Sequence, residues 1–185
     1  MRNILLTTTF SALLVSPAVA QNQEPRPSPA AKVSQVVGLT NITVEYSSPG
    51  VKKRKVFGDL VPYGQMWRTG ANASTKLTVD KEVTIGGKKV APGTYSILTI
   101  PTAKSWTFVI NKNTDIGGNM DKYKQEEDVA RVTAKPAVLR PSRERMTFIF
   151  SDFTNDGVDL DLEWDRVRVT LPIQVDTPSP EKKKS

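Results

Sequence analysis

Apolar and polar residues alternate with a period of two along most of the chain between residues 32 and 176. Ile42, Val44 and Tyr46, for example, are separated by Thr43 and Glu45. The alternation recurs around residues 77–79, 83–85, 95–100, 106–110, 130–134, 146–150 and 158–175. A period of two is typical of strands that bury one face, so the pattern predicts an all-β chain. The only helix candidates are short, at residues 56–60 and 121–128.

Glycine and proline divide the alternating segments at turn positions. Gly86-Gly87 favours a tight hairpin because glycine accepts positive φ, and Pro92-Gly93 and Asp156-Gly157 mark further reversals. The segments then amount to about ten short, mostly antiparallel strands. This pattern predicts a single β-sandwich over residues 32–176, with a β-barrel as the alternative.

The phase of the apolar positions changes near the end of the predicted domain. Residues 158–164 are apolar at even positions and residues 167–175 at odd positions. One regular strand would turn half of this apolar face to water, so a turn or bulge is expected near Asp165. We predict a hairpin that pairs Glu163 with Arg166 and Asp161 with Arg168, since both pairs join opposite charges.

The two ends of the chain differ in composition from the alternating region. Residues 1–20 combine Arg2, an apolar run over residues 4–15 and the small-residue site Ala18-Val19-Ala20, which is typical of a secretory signal peptide. Cleavage after Ala20 would deliver a periplasmic or secreted protein without a transmembrane segment. Residues 21–31 are expected to be a disordered Pro-rich tether, and residues 177–185 a disordered basic tail.

The chain contains neither cysteine nor histidine. This composition excludes Ser-His-Asp and Cys-His nucleophile systems, thiolate redox centres and the usual zinc sites. Any catalysis would have to use carboxylates, Lys, Tyr or Ser. We therefore lean towards a protein that is not an enzyme, and we expect no cofactor.

Positive charge is concentrated in the first half of the domain. Residues 32–110 carry 11 basic and 4 acidic side chains, and Lys52-Lys53-Arg54-Lys55 lies in a predicted loop. Such a surface suits an anionic glycan as a ligand. The alternative is a basic surface that is solvated and binds no specific partner. Export argues against nucleic acid as the partner.

Residues 56–72 form the longest stretch without a regular period. It holds three glycines beside three aromatic residues and one arginine. Tyr63 and Trp67 offer flat faces for stacking, Arg68 offers a fork for a carboxylate or phosphate, and Asn72 offers a paired donor and acceptor. We predict ligand binding by these four residues. The alternative is that the aromatic residues close one end of the sandwich. Asp59 is the only acidic residue in the block and is the candidate catalytic residue.

The segments Gly58–Gly64 and Trp67–Asn72, with Gly93–Ser96 and Trp106–Asn111 further on, resemble a family of exported bacterial proteins. That family is catalogued as a domain of unknown function, number twenty-nine eleven. The resemblance extends over residues 33–175. It implies export and a single domain, and it supplies no activity, cofactor or catalytic residue.

Asp152, Asp156 and Glu163 have nearly the spacing of a calcium-binding loop. Thr154 occupies a position where the motif needs a better oxygen ligand, and the flanks alternate as strands where the motif needs helices. A hairpin turn at Asp156-Gly157 is the favoured interpretation.

Three functions are compatible with these features. The first is a non-catalytic binding module of the cell envelope, with a small molecule or an anionic envelope glycan as its ligand. The second is a carboxylate-dependent hydrolase that uses Asp59 and another acid. The third is a structural envelope protein.

Overall fold

The structure, a computed structural model, describes residues 25–176. The predicted signal peptide and basic tail, and the first residues of the predicted tether, lie outside this range. Ten strands account for most of the described chain. They are β1 (Ala30–Val37), β2 (Thr40–Ser47), β3 (Lys76–Val79), β4 (Val83–Ile85), β5 (Lys88–Val90), β6 (Gly93–Pro101), β7 (Trp106–Asn111), β8 (Asp128–Ala134), β9 (Ala137–Ser151) and β10 (Gly157–Val175).

The strands form two antiparallel sheets that pack face to face. One has six strands in the order β1-β2-β3-β6-β7-β8, and the other has four in the order β5-β4-β10-β9. Within the described residues the sheets do not close on themselves, so the predicted all-β sandwich is confirmed and the barrel alternative is wrong. Gly86 and Gly87, with φ of 58° and 73°, form the predicted hairpin between β4 and β5.

Helical structure in the described chain is limited to two single 3-10 turns, Met120–Lys122 and Gln125–Glu127. They occupy the second of the two segments predicted as helix candidates, and residues 56–60 form turns instead. No helix among residues 25–176 is long and apolar enough to cross a membrane.

One hydrophobic core lies between the two sheets. Its members come from the inward positions of both sheets, as the period-two pattern predicts, and Ile42, Leu77, Ile97, Phe108 and Leu160 are fully buried. A smaller cluster of Leu98, Val109 and Ile116 covers the opposite face of β6 and β7. These two central strands are therefore buried on both faces.

The predicted hairpin at residues 163–166 is wrong, because β10 is one strand that continues through Asp165. Glu163 lies opposite Thr147 of β9, and Asp161 lies opposite Ile149. Asp165 adopts φ 53° and the register shifts on both sides of it, so the apolar phase changes at a bulge. The strand does not fold back on itself because β9 pairs with it on both sides of the bulge, at residues 159–163 and again at residues 165–168.

The sequence predicts that the domain begins at residue 32, but the folded part of the chain begins earlier. β1 starts at Ala30, and the carbonyl oxygens of Pro27, Ser28 and Pro29 accept hydrogen bonds from Arg145, Asn72 and Ser48 respectively. Residues 27–29 are thus attached to the sandwich beside the Val56–Asn72 block.

Candidate functional site

The Val56–Asn72 block is held against the end of β6 by backbone hydrogen bonds. The Trp67 N–H donates to the Thr99 carbonyl oxygen at 2.8 Å, and the Thr99 N–H donates to the Trp67 carbonyl oxygen at 2.9 Å. Nearer the turn, the Gly64 N–H donates to the Pro101 carbonyl oxygen at 2.8 Å. Trp67 therefore pairs with β6 beyond the end of β3, and its backbone is fixed by the sheet.

The backbone after Arg68 adopts an uncommon conformation. Thr69 is fully buried with φ 57°, a region that β-branched residues rarely enter. Its hydroxyl bonds the Thr99 hydroxyl at 3.0 Å, and its carbonyl oxygen accepts from the Thr75 hydroxyl at 2.7 Å. Such strain costs about 1–3 kcal/mol and is concentrated at functional sites. These contacts fix the position of the neighbouring Arg68.

Four aromatic residues, Phe57, Trp67, Trp106 and Trp164, pack together under the block and are called the aromatic cluster below. The ring of Phe57 meets Trp106 edge-on at 4.9 Å and Trp164 edge-on at 5.8 Å between centroids. Trp67 and Trp164 stack at 5.8 Å with an interplanar angle of 22°. Phe57, Trp106 and Trp164 are buried, whereas Trp67 remains partly exposed. The block is thus anchored by its own aromatic side chains.

A cavity of about 240 Å³ opens beside the two stacked tryptophans and is called the tryptophan cavity. Segments from four parts of the chain line it: the N-terminal residues, the basic loop, the Val56–Asn72 block and β10. The lining residues are Ser28, Pro49, Arg54, Leu60, Val61, Trp67, Arg68, Gly70, Ala71 and Trp164. Two flat indole rings and two guanidinium groups therefore share one opening.

The lining of the tryptophan cavity carries positive charge and contains no carboxylate. Arg54 is held by the carbonyl oxygens of Val51 and Gly50, at 3.1 Å from Nε and 2.7 Å from an Nη nitrogen. The buried Nε of Arg68 and the Nε1 of Trp164 have no acceptor among the described residues. Buried donors usually have a partner, because an unsatisfied one costs about 1–3 kcal/mol. Because both nitrogens are closed to solvent, a ligand would instead meet the outer nitrogens of Arg54 and Arg68, and these suit a ligand that supplies acceptor oxygens.

The structure brings together two of the four residues predicted to bind a ligand. Trp67 and Arg68 both line the tryptophan cavity. Tyr63 lies over Gly58, where an added Cβ would approach the tyrosine ring to 2.8 Å, and lines a different cavity. Asn72 is exposed, and its side-chain amide donates to the Ser28 carbonyl oxygen at 3.2 Å. Asn72 thus attaches the N-terminal segment that borders the cavity.

Sequence reasoning missed two residues of the cavity, Trp164 and Arg54. The alternation places Trp164 among the apolar even positions of residues 158–164, and nothing local connects it with Trp67 almost a hundred positions earlier. Arg54 was one of four consecutive basic residues in a loop. Its hydrogen bonds to Val51 and Gly50 distinguish it from the neighbouring lysines, and the sequence carries no signal for them.

The carboxylates singled out from the sequence lie elsewhere. Asp59 is exposed and lines neither the tryptophan cavity nor the one beside Tyr63. Glu163 is buried in β10, with both oxygens bonded to Arg143 and Arg168. Asp152 and Asp156 lie in the loop between β9 and β10, where Asp156 accepts a bond from the Thr154 hydroxyl at 2.9 Å. Within residues 25–176 no cluster of three acidic residues could hold a metal ion.

Comparison with curated proteins found no match, and comparison with solved structures also found none. A family model described as Protein of unknown function (DUF2911) matches residues 28–173. The match includes the whole sandwich from β1 to most of β10, together with the block that lines the tryptophan cavity. The chain therefore belongs to the family described as Protein of unknown function (DUF2911).

Proposed function

We propose that this protein is an exported, non-catalytic binding module of the cell envelope that holds an acidic sugar residue in the tryptophan cavity. The observation that carries the proposal is the lining itself: two stacked indoles, one of them partly exposed, and two arginines, with no carboxylate among the described lining residues. Arg68 binds the carboxylate of the ligand, and the exposed part of Trp67 stacks on its ring.

The chemistry of the cavity matches a hexuronate better than a neutral sugar or a purely apolar ligand. A pyranose ring presents a flat C–H face to an indole, and its carboxylate can accept two hydrogen bonds from one guanidinium. A volume of 240 Å³ is below the ~300–1,000 Å³ of most small-molecule pockets, so one sugar unit is the expected occupant. The opening lets the rest of a chain extend into solvent.

Binding is favoured over hydrolysis by the same lining. Cleavage of a glycosidic bond uses two carboxyl groups on either side of that bond. The tryptophan cavity offers none, and Asp59 is not among its lining residues. The arginines instead provide charge complementarity, which is what retention of an acidic ligand needs.

Titration with a hexuronic acid oligosaccharide should change the tryptophan fluorescence of the protein, because Trp67 and Trp164 line the cavity. We expect Arg68→Gln to weaken binding about tenfold or more, since it removes a charge-assisted bidentate contact. Trp67→Ala should also weaken it by removing the partly exposed face on which the sugar ring stacks. Lys104→Gln is the matched control, because it changes the net charge equally in the β6–β7 turn and should leave the affinity unchanged. Equal affinity for the neutral oligosaccharide, or for Arg68→Gln, would contradict the proposed site.

The location outside the cytoplasm is tested separately. Mass spectrometry of the protein recovered from the periplasm or medium should show a chain that begins at Gln21, because the predicted cleavage site ends at Ala20. An intact chain beginning at Met1 in that fraction, or a protein found only in the cytoplasm, would refute export.

A further inference from the structure

A second cavity, of about 490 Å³, lies where β9 and β10 lose their regular register, and is called the arginine cavity. Between the pairs Glu163–Thr147 and Val167–Val138, β10 advances four residues while β9 advances nine. The surplus residues of β9 therefore cannot all pair with β10. Residues 139–145 form one wall, and Thr147 of β9 with Glu163 and Arg168 of β10 completes the lining.

The lining of the arginine cavity has an excess of positive charge. Four arginines, at positions 140, 143, 145 and 168, face two glutamates, Glu144 and Glu163. In the described part of the chain, neither Arg140 nor Arg145 forms an ion pair with a carboxylate. The cavity therefore keeps a net positive charge after its internal pairs are formed.

The buried Glu163 orients two of these arginines, Arg143 and Arg168. It is 1 % exposed, and its Oε2 accepts from Arg143 Nε at 2.5 Å. Its Oε1 accepts from Arg168 Nε at 2.7 Å, and an Nη nitrogen of the same arginine lies 2.5 Å from that oxygen in the ion pair. The side chains of Arg143 and Arg168 remain about half exposed, at 41 % and 46 %. A buried carboxylate thus orients two cations that still face solvent.

Arg145 is also held in position, by a different contact. One of its Nη nitrogens donates to the carbonyl oxygens of Pro27 at 2.8 Å and Ser48 at 3.2 Å. Three of the four arginines are therefore oriented before any ligand arrives. This reduces the conformational entropy that is lost on binding. A solvated basic surface would not need a buried glutamate and two backbone carbonyls to position its side chains.

We propose that the arginine cavity binds a phosphoryl group, as a free phosphate ion or as a phosphate ester carried by a glycan. Guanidinium groups bond phosphate oxygens in pairs, and several preorganised forks around one opening match the several oxygens of a phosphoryl group. The charge of Glu163 is more than offset, because this one carboxylate pairs with two cations, Arg143 and Arg168. This site is separate from the tryptophan cavity and does not depend on the proposed function.

Isothermal titration of the purified protein with inorganic phosphate, glucose 6-phosphate and glucose tests this inference. We expect both phosphates to bind and glucose not to bind at this site. Tighter binding of the sugar phosphate than of inorganic phosphate would identify a glycan-borne group, and the reverse order would identify the free ion. No binding of either phosphate at millimolar concentration would overturn the inference.

Substitutions in the lining test whether the phosphate binds in the arginine cavity. Arg140→Gln should weaken phosphate binding about tenfold, because it removes one cation of the lining without disturbing a hydrogen bond within the described residues. Arg168→Lys keeps the charge beside Glu163 but loses the guanidinium fork, and should also weaken binding. The control Lys104→Gln has the same charge change as Arg140→Gln outside the cavity. Equal affinities for phosphate in Arg140→Gln, Lys104→Gln and the unmodified protein would overturn the assignment, as this would show nonspecific attraction by net charge.

Discussion

Replacing Trp164 with alanine is expected to lower the free energy of unfolding by about 3–5 kcal/mol, the usual range for an aromatic residue removed from a core. Trp164 is 1 % exposed and touches both Phe57 and Trp67 of the aromatic cluster. Its removal leaves a void at the position where the Val56–Asn72 block packs on β10. The substitution is therefore expected to destabilise both the core and the Val56–Asn72 block.

Urea denaturation followed by circular dichroism measures this effect as a shift of the midpoint. The matched control is Trp67→Ala, in which the same side chain is removed from a partly exposed position, and its loss should be clearly smaller. Trp164→Phe should cost less than Trp164→Ala, since it keeps an aromatic ring and removes a buried N–H without an acceptor. Equal losses for Trp164→Ala and Trp67→Ala would contradict the packing described here.

Replacing Glu163 with alanine is expected to lower the free energy of unfolding by about 2–3 kcal/mol. Removing one partner of a fully buried ion pair costs about 3–5 kcal/mol. The loss is smaller here because Arg143 and Arg168 are about half exposed, so water solvates them once the carboxylate is gone. Hydrogen bonding to Glu163 raises the pKa of Arg168. A guanidinium is protonated at neutral pH even without that contact, so Arg168 stays charged when its partner is lost.

The control for this substitution is Glu45→Ala, which breaks the exposed ion pair with Lys32 at 3.3 Å. Exposed pairs contribute about 0–1 kcal/mol, and salt screens them. Denaturation in low and in molar salt should therefore show a small, salt-sensitive loss for Glu45→Ala and a larger loss that persists in salt for Glu163→Ala. A loss for Glu163→Ala as small as that of the control would show that the buried carboxylate does not hold the two arginines.

The sequence was sufficient for the fold class and for much of the core. Alternation is a local property, because successive side chains of a strand point to opposite faces whatever lies beyond them. Residues such as Ile42, Val44 and Leu160 are therefore buried where the pattern predicts. The Gly86-Gly87 hairpin also follows from two neighbouring residues that accept positive φ.

The change of phase at Asp165 shows where local information ends. A hairpin and a bulge both exchange the two faces of a strand, so the apolar pattern is the same for either. Opposite charges near Asp165 favoured the hairpin, yet Arg168 reaches Glu163 and Asp161 along one continuous strand. The choice depended on β9, which pairs with β10 both before and after Asp165.

The cavities were decided by tertiary structure alone. From the sequence, the Val56–Asn72 block could be identified as unusual, and Trp67 and Arg68 as candidates, because glycine, aromatic residues and arginine are concentrated there. The partners of these residues are Arg54, in a loop beside the block, and Trp164, on a strand of the opposite sheet. The arginine cavity likewise depends on a shift in register between β9 and β10, and the sequence of neither strand predicts that shift by itself. Sequence patterns report which face of an element is buried, whereas a cavity depends on which distant elements meet and how imperfectly they fit.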